Sequence, residues 1–247
     1  MADAIETIEG WYALHDFRQI NWPLWNSCTS SEREDAISSL LKIINQWTTV
    51  EESGEGSTGI YHIIGHKADL LFANFRPTVD ELLQAELDID KSPMSRFFTK
   101  PYSYFSVVEL SKYLVKGQVD PLALPGTKER LYPILPKTQY VCFYPMNKRR
   151  EGQDNWYMLS KDERREKMKG HGILGHKYAD RVTQIITGSQ GLDDWEWGVT
   201  LYANDMLDFK KLIYEMRFDE ASARFADFGP FLVGKRLTQE SLQVLLG

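Results

Sequence analysis

Residues 160–189, SKDERREKMKGHGILGHKYADRVTQIITGS, predict a helix followed by a strand and so indicate a mixed α+β fold. Ser160 and Glu163 have the spacing of a capping box, which is typical of a helix start. The final residues, RVTQIITGS, are rich in β-branched side chains and predict a strand. Between the two lie three glycines and two histidines. Because each helical glycine costs about 1 kcal/mol relative to alanine, this part of the helix needs an explanation.

The same order of elements occurs twice, about 127 residues apart, which indicates an internal duplication. The first copy reads as a strand at GWYALHDF, a helix at 31–47 with a Ser31/Glu34 capping box, strands near 59–65 and 69–76, a helix from Pro77-Thr78 with Glu81 completing its capping box, and a strand in SYFSVVEL. The second copy reads as TQYVCFYPM, a helix from Ser160, RVTQIITGS, WEWGVTLYA, the helix DMLDFKKLIYEMRF, and PFLVGKRL.

Each copy therefore has the order βαββαβ, which is the ferredoxin-like plan. The sequence predicts an α+β fold built by tandem duplication of this unit, a dimeric α+β barrel. We predict an N-terminal half at residues 1–113, a connector at 114–136 and a C-terminal half at 137–247. The space between a sheet and its helices would suit a large apolar ligand.

The composition is that of an ordinary soluble globular protein, with 247 residues, 43% of them hydrophobic and 26% charged. The formal charge of −6 argues against general binding to nucleic acid or to an anionic membrane surface. The N-terminus lacks a signal-peptide pattern and no apolar run approaches about 18 residues, so we expect a cytoplasmic location. Cys28 and Cys142 are the only cysteines, and we interpret both as plain thiols.

Strand periodicity places an unusual set of side chains on one face of residues 140–150, namely Tyr140, Cys142, Tyr144, Met146 and Lys148. One interpretation is a cavity wall with an oxidisable phenol and a cation for an anionic substrate. The alternative is a strand that leaves the core, with Lys148 solvated and Pro145 marking an edge or bulge. In the strand VTQIITG, Gln184 is a lone polar residue whose partner could be a ligand.

The two histidines of the quoted stretch cannot easily bind one metal ion. On a helix, His171 and His176 lie about 140° apart, so at most one is a ligand. Gly175 follows His171 by one turn on the same face, where bare backbone would let a flat ligand approach. Alternatively, the glycines mark a fraying helix end. The first copy has Ile44 and Phe17 near the positions equivalent to His171 and Tyr144, which favours a function in the C-terminal half.

Four segments resemble the coproheme decarboxylases of the chlorite dismutase-like superfamily, the hydrogen-peroxide-dependent haem synthases. They are CFYPMNKRREGQDNWYML, GHGILGHKYADRVTQIITGS, DDWEWGVTLY and EMRFDEASARFADFGPF. The resemblance extends over essentially the whole chain. It implies two ferredoxin-like halves with haem in the C-terminal one, a ring-shaped homopentamer, and possible docking of a ferrochelatase.

The resemblance also implies roles for individual residues. His171 matches the proximal axial iron ligand, and His176 is then a bystander or rim residue. Tyr144 matches the catalytic tyrosine, which forms a radical, and Lys148 would orient a propionate and deliver a proton. The implied porphyrin-contacting residues are Tyr113, Arg130, Tyr144, Pro145, Met146, Asn147, Lys148, Gln184, Arg217 and Ser222.

The implied reaction is the oxidative decarboxylation of two propionates of iron coproporphyrin III (coproheme) to vinyl groups. It yields haem b and two CO₂ and consumes two hydrogen peroxide molecules. The tetrapyrrole is both substrate and redox centre. Its propionates carry about four negative charges that are costly to bury unless they are paired, so cations are expected around them.

Three alternatives stay open at this point. A chlorite dismutase-like haem peroxidase would share the fold, but Gln184 stands where those enzymes have a distal arginine. A non-catalytic haem carrier would need His171 and cations but no oxidisable phenol such as Tyr144. A ferredoxin-like oligomer that binds no tetrapyrrole would give no Soret band with coproheme.

Overall fold

The computed structural model describes residues 4–111 and 121–247. The strands are β1 (Thr7–Ile20), β2 (Ser57–Ile63), β3 (Leu70–Arg76), β4 (Phe98–Ser111), β5 (Tyr140–Lys148), β6 (Arg150–Glu151), β7 (Asp154–Asn155), β8 (Val182–Gly188), β9 (Trp197–Ala203), β10 (Ala226–Phe228) and β11 (Leu232–Arg236). The α-helices are α1 (Trp22–Ser27), α2 (Ser30–Ser53), α3 (Val79–Asp90), α4 (Thr127–Leu131), α5 (Lys161–His176), α6 (Met206–Met216), α7 (Glu220–Ala223) and α8 (Gln239–Leu246).

Two of the predicted helix starts are confirmed, and one is corrected. Thr78 caps α3 and Ser160 caps α5, each in a full capping box with the glutamate three residues on. Helix α2, however, begins earlier than predicted, because Thr29 and Glu32 form its capping box instead of Ser31 and Glu34. Thr29 has an extended backbone, its side chain accepts from the Glu32 N–H, and the Glu32 carboxylate accepts from the Thr29 N–H.

Helix α5 does not fray at its glycines. It continues from Lys161 through Gly170, Gly172 and Gly175 to His176. The helical interpretation of the quoted stretch is therefore correct. The backbone left bare by the glycines belongs to a continuous helix.

The chain forms two compact units, and the first consists of residues 11–105, 133–137 and 232–247. Its strand order is β11-β2-β3-β1-β4. The sequence β1, α2, β2, β3, α3, β4 is the predicted βαββαβ, with its second, third, first and fourth strands side by side. Helices α2, α3 and α8 bury one face around Leu40, Trp47, Phe72, Ile89 and Leu242.

The second unit consists of residues 4–10, 106–132 and 138–231 among those described. Its strand order is β4-β8-β9-β5-β10, and the pairs β4–β8, β8–β9, β5–β9 and β5–β10 are antiparallel. The four strands β8, β9, β5 and β10 have the same second, third, first, fourth order as the first unit. The predicted duplicated ferredoxin-like α+β fold is thus confirmed.

The end of the second copy differs from its prediction. The strand predicted in PFLVGKRL is present as β11, and the shorter strand β10 precedes it in the chain. The three residues of β10 pair with β5, and β11 pairs with β2 of the first unit. The compact units therefore divide the chain differently from the halves 1–113 and 137–247, and residues 121–132 of the predicted connector are part of the second unit.

No helix in the described part of the chain is both long and apolar enough to cross a membrane.

Candidate functional site

The register of the second unit's sheet aligns three cross-strand rows on one face. They are Gln184–Leu201–Cys142, Ile186–Val199–Tyr144 and Gly188–Trp197–Met146. We call this surface the Tyr144 face. Its β8 side is uncovered, because Gln184 is exposed and Ile186 is 41% exposed. An open strip with an apolar side chain on an otherwise packed sheet is a surface that a large flat ligand could cover.

Tyr144 is buried against two aromatic rings that follow β10 or lie in it. Its ring stacks on Phe231 with centroids 4.6 Å apart, and Phe228 lies at 5.8 Å. Burial raises the pKa of Tyr144 above its ordinary value, with a small opposing effect from the charge of Arg217. The phenol is therefore neutral at physiological pH, and its O–H bond is intact for loss of a hydrogen atom.

Lys148 lies two residues beyond Met146 on the same face, at the end of β5. Its ammonium donates to the Ala221 carbonyl at 3.2 Å and lies 4.4 Å from the centre of the Trp156 ring. Burial lowers the pKa of Lys148 to about 8, although the negative charges of Asp219 and Glu196 oppose the shift. Lys148 is thus a cation near neutral pH whose proton is more easily released than that of a solvated lysine.

His171 is half-buried on α5 and is paired with a carboxylate. Its Nδ1 lies 2.8 Å from Asp219 Oδ2, and the Ser222 hydroxyl is 3.5 Å from the same nitrogen. Burial alone would raise the pKa of Asp219, but hydrogen bonding and charge from His171, with hydrogen bonds from Ser222, hold it below its ordinary value. An ionised carboxylate can only accept, so Nδ1 donates to Asp219 and Nε2 is the ring nitrogen left for a metal.

The glycines of α5 leave space beside His171. A side chain at Gly172 would meet no atom within 4 Å, and one at Gly175 would reach only Met216 Cε at 3.9 Å. This helix surface is therefore open to a flat group. A tetrapyrrole brings four nitrogen ligands to its iron, so one imidazole with a free Nε2 fits the remaining need.

His171 of helix α5 and Lys148 of strand β5 both contact residues 219–222, which we call the α7 junction. Asp219 is the N-cap of α7 and holds His171 of α5, while the Ala221 carbonyl holds Lys148 of β5. The imidazole and the ammonium are consequently positioned by the same short helix.

Comparison with known proteins identifies the family. A model of the chlorite dismutase family matches residues 33–237. Coproheme decarboxylases from two strains of Thermus thermophilus are each 53% identical over 98% of this chain and 96% of their own length. The chain therefore belongs to the coproheme decarboxylases of the chlorite dismutase family.

Solved structures agree with this membership. A heme-binding protein from Thermus thermophilus is 52% identical, covers 100% of this chain and 99% of its own, and superposes with a TM-score of 0.96. A chlorite dismutase variant from Candidatus Nitrospira defluvii shares the fold, with 20% identity, 97% coverage of both chains and a TM-score of 0.76.

The other residues predicted to contact the porphyrin differ in how close they lie to Tyr144. Arg217, at the end of α6, is exposed, and its guanidinium carbon lies 3.8 Å from the centre of the Phe228 ring, which in turn contacts Tyr144. Gln184 and Met146 lie on the Tyr144 face. Arg130 is exposed in α4, and its side chain makes no hydrogen bond or ion pair with another described residue.

Other predicted residues have different surroundings. Pro145 and Asn147 point away from the Tyr144 face by strand alternation, and the Asn147 side chain accepts from the Glu196 N–H at 2.7 Å. Ser222 is buried and engaged with Asp219 and His171. His176 is exposed at the end of α5, and Tyr113 lies outside the described residues.

Sequence reasoning missed several residues that support this family site. Asp219 is the most important, because a metal-bound histidine usually donates its other ring nitrogen to a carboxylate. The signal was present, since Asp219 and Ser222 have the spacing of a helix cap within EMRFDEASARFADFGPF. The sequence carried no comparable signal for Glu196, whose carboxylate accepts from the backbone N–H of Lys148 at 2.8 Å. It also carried none for the rings of Trp156, Phe228 and Phe231.

Proposed function

We propose that this protein converts two propionates of iron coproporphyrin III into vinyl groups with hydrogen peroxide, yielding haem b through a radical on Tyr144. One observation carries the proposal. A neutral phenol and a half-buried ammonium share one sheet face, and the α7 junction connects that face to a carboxylate-paired imidazole. A haem carrier would need the imidazole but would have no use for the phenol.

In each decarboxylation, the protein has to remove one hydrogen atom from the propionate and supply one proton. A propionate, one hydrogen peroxide and one proton give a vinyl group, CO₂ and two waters, so two electrons leave the substrate. The substrate iron with peroxide supplies the oxidising equivalents. Loss of CO₂ from a saturated propionate would otherwise leave an unstabilised carbanion.

The residues of the chain divide this work between them. His171 holds the iron through Nε2, and Asp219 increases the basicity of the imidazole. Tyr144 gives up its phenolic hydrogen and then takes one from the propionate carbon next to the ring. Lys148 orients a propionate and supplies the proton that peroxide reduction consumes, for which a pKa of about 8 is well suited. Arg217 and Arg130 are proposed to pair with the other propionates.

The test compares Tyr144→Phe with Tyr140→Phe, a half-buried tyrosine two rows along the same strand face. Both variants should bind coproheme, as followed by the Soret band. On stepwise addition of peroxide, mass spectrometry should show the three-propionate intermediate and then haem b for Tyr140→Phe and wild type only. Full conversion by Tyr144→Phe would exclude the radical role.

The axial ligand has its own matched pair. His171→Ala should weaken coproheme binding and change the iron spectrum, because the only imidazole paired with a carboxylate in the described site is lost. His176→Ala should do neither, since its ring is exposed at the helix end. Equal effects of the two substitutions would contradict the assignment of His171.

We further propose, from the family resemblance, that the protein assembles as a homopentamer and receives its substrate from a ferrochelatase. Light scattering coupled to size-exclusion chromatography measures the mass of the assembly, and a mass of one or two chains would contradict the homopentamer.

A further inference from the structure

Glu109 near the end of β4 is a partly buried carboxyl group that the proposed mechanism does not use. One of its oxygens, Oε1, accepts from the indole N–H of Trp197 at 2.9 Å. A side chain at Gly188 would collide with the Glu109 carboxylate, so the glycine leaves the space that this group occupies. Both contacts place the carboxyl group on the row Gly188–Trp197–Met146.

Strand register independently gives the face on which the Glu109 side chain lies. Val107 of β4 lies opposite Gly188 of β8, and Glu109 is two residues beyond Val107, so it shares the face of Gly188. Ile186 and Tyr144 lie one row from Gly188 on the same face. Glu109 is therefore a member of the Tyr144 face.

The spacing between Glu109 and Tyr144 matches the size of the proposed substrate. The strand order β4-β8-β9-β5 separates them by three strand spacings, about 14 Å. This is comparable with the width of a tetrapyrrole carrying propionates. A ring lying on the uncovered strip around Ile186 would have Tyr144 at one margin and Glu109 at the other.

The surroundings of Glu109 make its carboxyl group easier to protonate than a solvated one. Burial raises the pKa of Glu109, the Trp197 hydrogen bond opposes the shift, and the negative charge of Glu9 on β1 adds to it. No lysine or arginine in the described residues forms an ion pair with Glu109. An ionised Glu109 would repel the propionates, whereas a protonated one can donate to them.

We propose that Glu109 contacts the substrate directly, its Oε2–H donating a hydrogen bond to a propionate other than the one beside Tyr144. Trp197 keeps Oε1 as the acceptor and so leaves Oε2 to carry the proton. The inference rests on the proposed function, because it assumes that iron coproporphyrin III lies on the Tyr144 face. It adds a contact that recognises a carboxylate without adding a positive charge.

The experiment is a Soret titration of the whole protein with iron coproporphyrin III, without peroxide, over a range of pH. Wild-type affinity should fall about tenfold or more as Glu109 loses its proton, the size expected for a hydrogen bond to a charged group. Glu109→Gln keeps both a donor and an acceptor, so it should lose this part of the pH dependence while retaining the low-pH affinity. Glu9→Gln should retain the dependence but move it to lower pH, because it removes a charge that raises the pKa of Glu109.

A second variant keeps the inference testable should Glu109→Gln fold poorly. Trp197→Phe removes the hydrogen bond that stabilises the ionised carboxylate, so the fall in affinity should move to higher pH. An unchanged pH dependence in Glu109→Gln, or in Trp197→Phe, would overturn the inference. If wild type binds no coproheme at any pH, the proposed function fails instead.

Discussion

In this protein, strand periodicity predicts which side chains share a face but not which residues they contact on other elements. Alternation predicts that Tyr144 and Lys148 share a face, and the register of β5 against β9 confirms that face for Tyr144 and Met146. Alternation could not reveal that the Lys148 ammonium lies over the Trp156 ring, because that contact joins residues on different elements. It also could not pair His171 with Asp219, 48 positions away.

The lowered pKa of Lys148 leads to a prediction about pH. Burial lowers this pKa to about 8, so the ammonium loses its proton as pH rises through about 8. Turnover of coproheme with peroxide should therefore be highest below that pH and fall above it. Lys148→Arg keeps its charge but cannot release a proton, and should turn over about 10²-fold or more slowly while still binding coproheme.

The matched control for Lys148→Arg is Lys169→Arg, an exposed lysine on α5. Steady-state rates across pH, together with Soret titrations, separate binding from proton delivery. Wild-type turnover by Lys148→Arg would show that positive charge alone suffices at this position.

Among the elements, α5 combines a strong start with a weak end. The Ser160/Glu163 capping box fixes its first turn, and the three glycines lower its intrinsic stability near His171. Capping patterns predicted α3 and α5 correctly, but α2 contains two overlapping patterns, Thr29/Glu32 and Ser31/Glu34, and only the former is used. PFLVGKRL had the composition of a strand, but composition does not identify the strands that pair with it, and β2 is one of them.

Two glycines of α5 provide a matched pair. Gly175→Ala and Gly172→Ala should each stabilise the ligand-free protein by up to about 1 kcal/mol, because neither new methyl group meets a close neighbour. Only Gly175 shares the helix face of His171, so only Gly175→Ala should weaken coproheme binding. Thermal melts and Soret titrations measure the two effects. Equal loss of affinity in both variants would argue against a ligand lying along the His171 face.

At the scale of the whole molecule, the two units have the same strand order but unequal chemistry. The side chains proposed to act in the reaction, Tyr144, Lys148, His171 and Asp219, all belong to the unit that contains residues 138–231. The first unit has the buried Phe17 near the position equivalent to Tyr144 and the buried Ile44 near that of His171. Duplication could be predicted from the order of elements, whereas the division of the chain could not, because β11 and α8 join the first unit through long-range contacts.

This asymmetry predicts where ligand binding changes stability. Coproheme at about 100 times its Kd should stabilise the folded protein by about 2.7 kcal/mol. Hydrogen exchange monitored by mass spectrometry should show slower exchange in peptides from β5, α5 and β8. Peptides from α2 serve as the internal control and should change least. Protection concentrated in α2 and α3 would place the ligand elsewhere.

The α7 junction influences both the His171 imidazole and the protonation of Lys148. In the proposed site, Asp219 increases the electron donation of the His171 imidazole to the iron, and its charge also raises the pKa of Lys148. Asp219→Asn should raise the reduction potential of the bound iron and, in the same variant, shift the alkaline loss of turnover to lower pH. Adjusting the redox poise of this centre through Asp219 therefore also changes its proton supply.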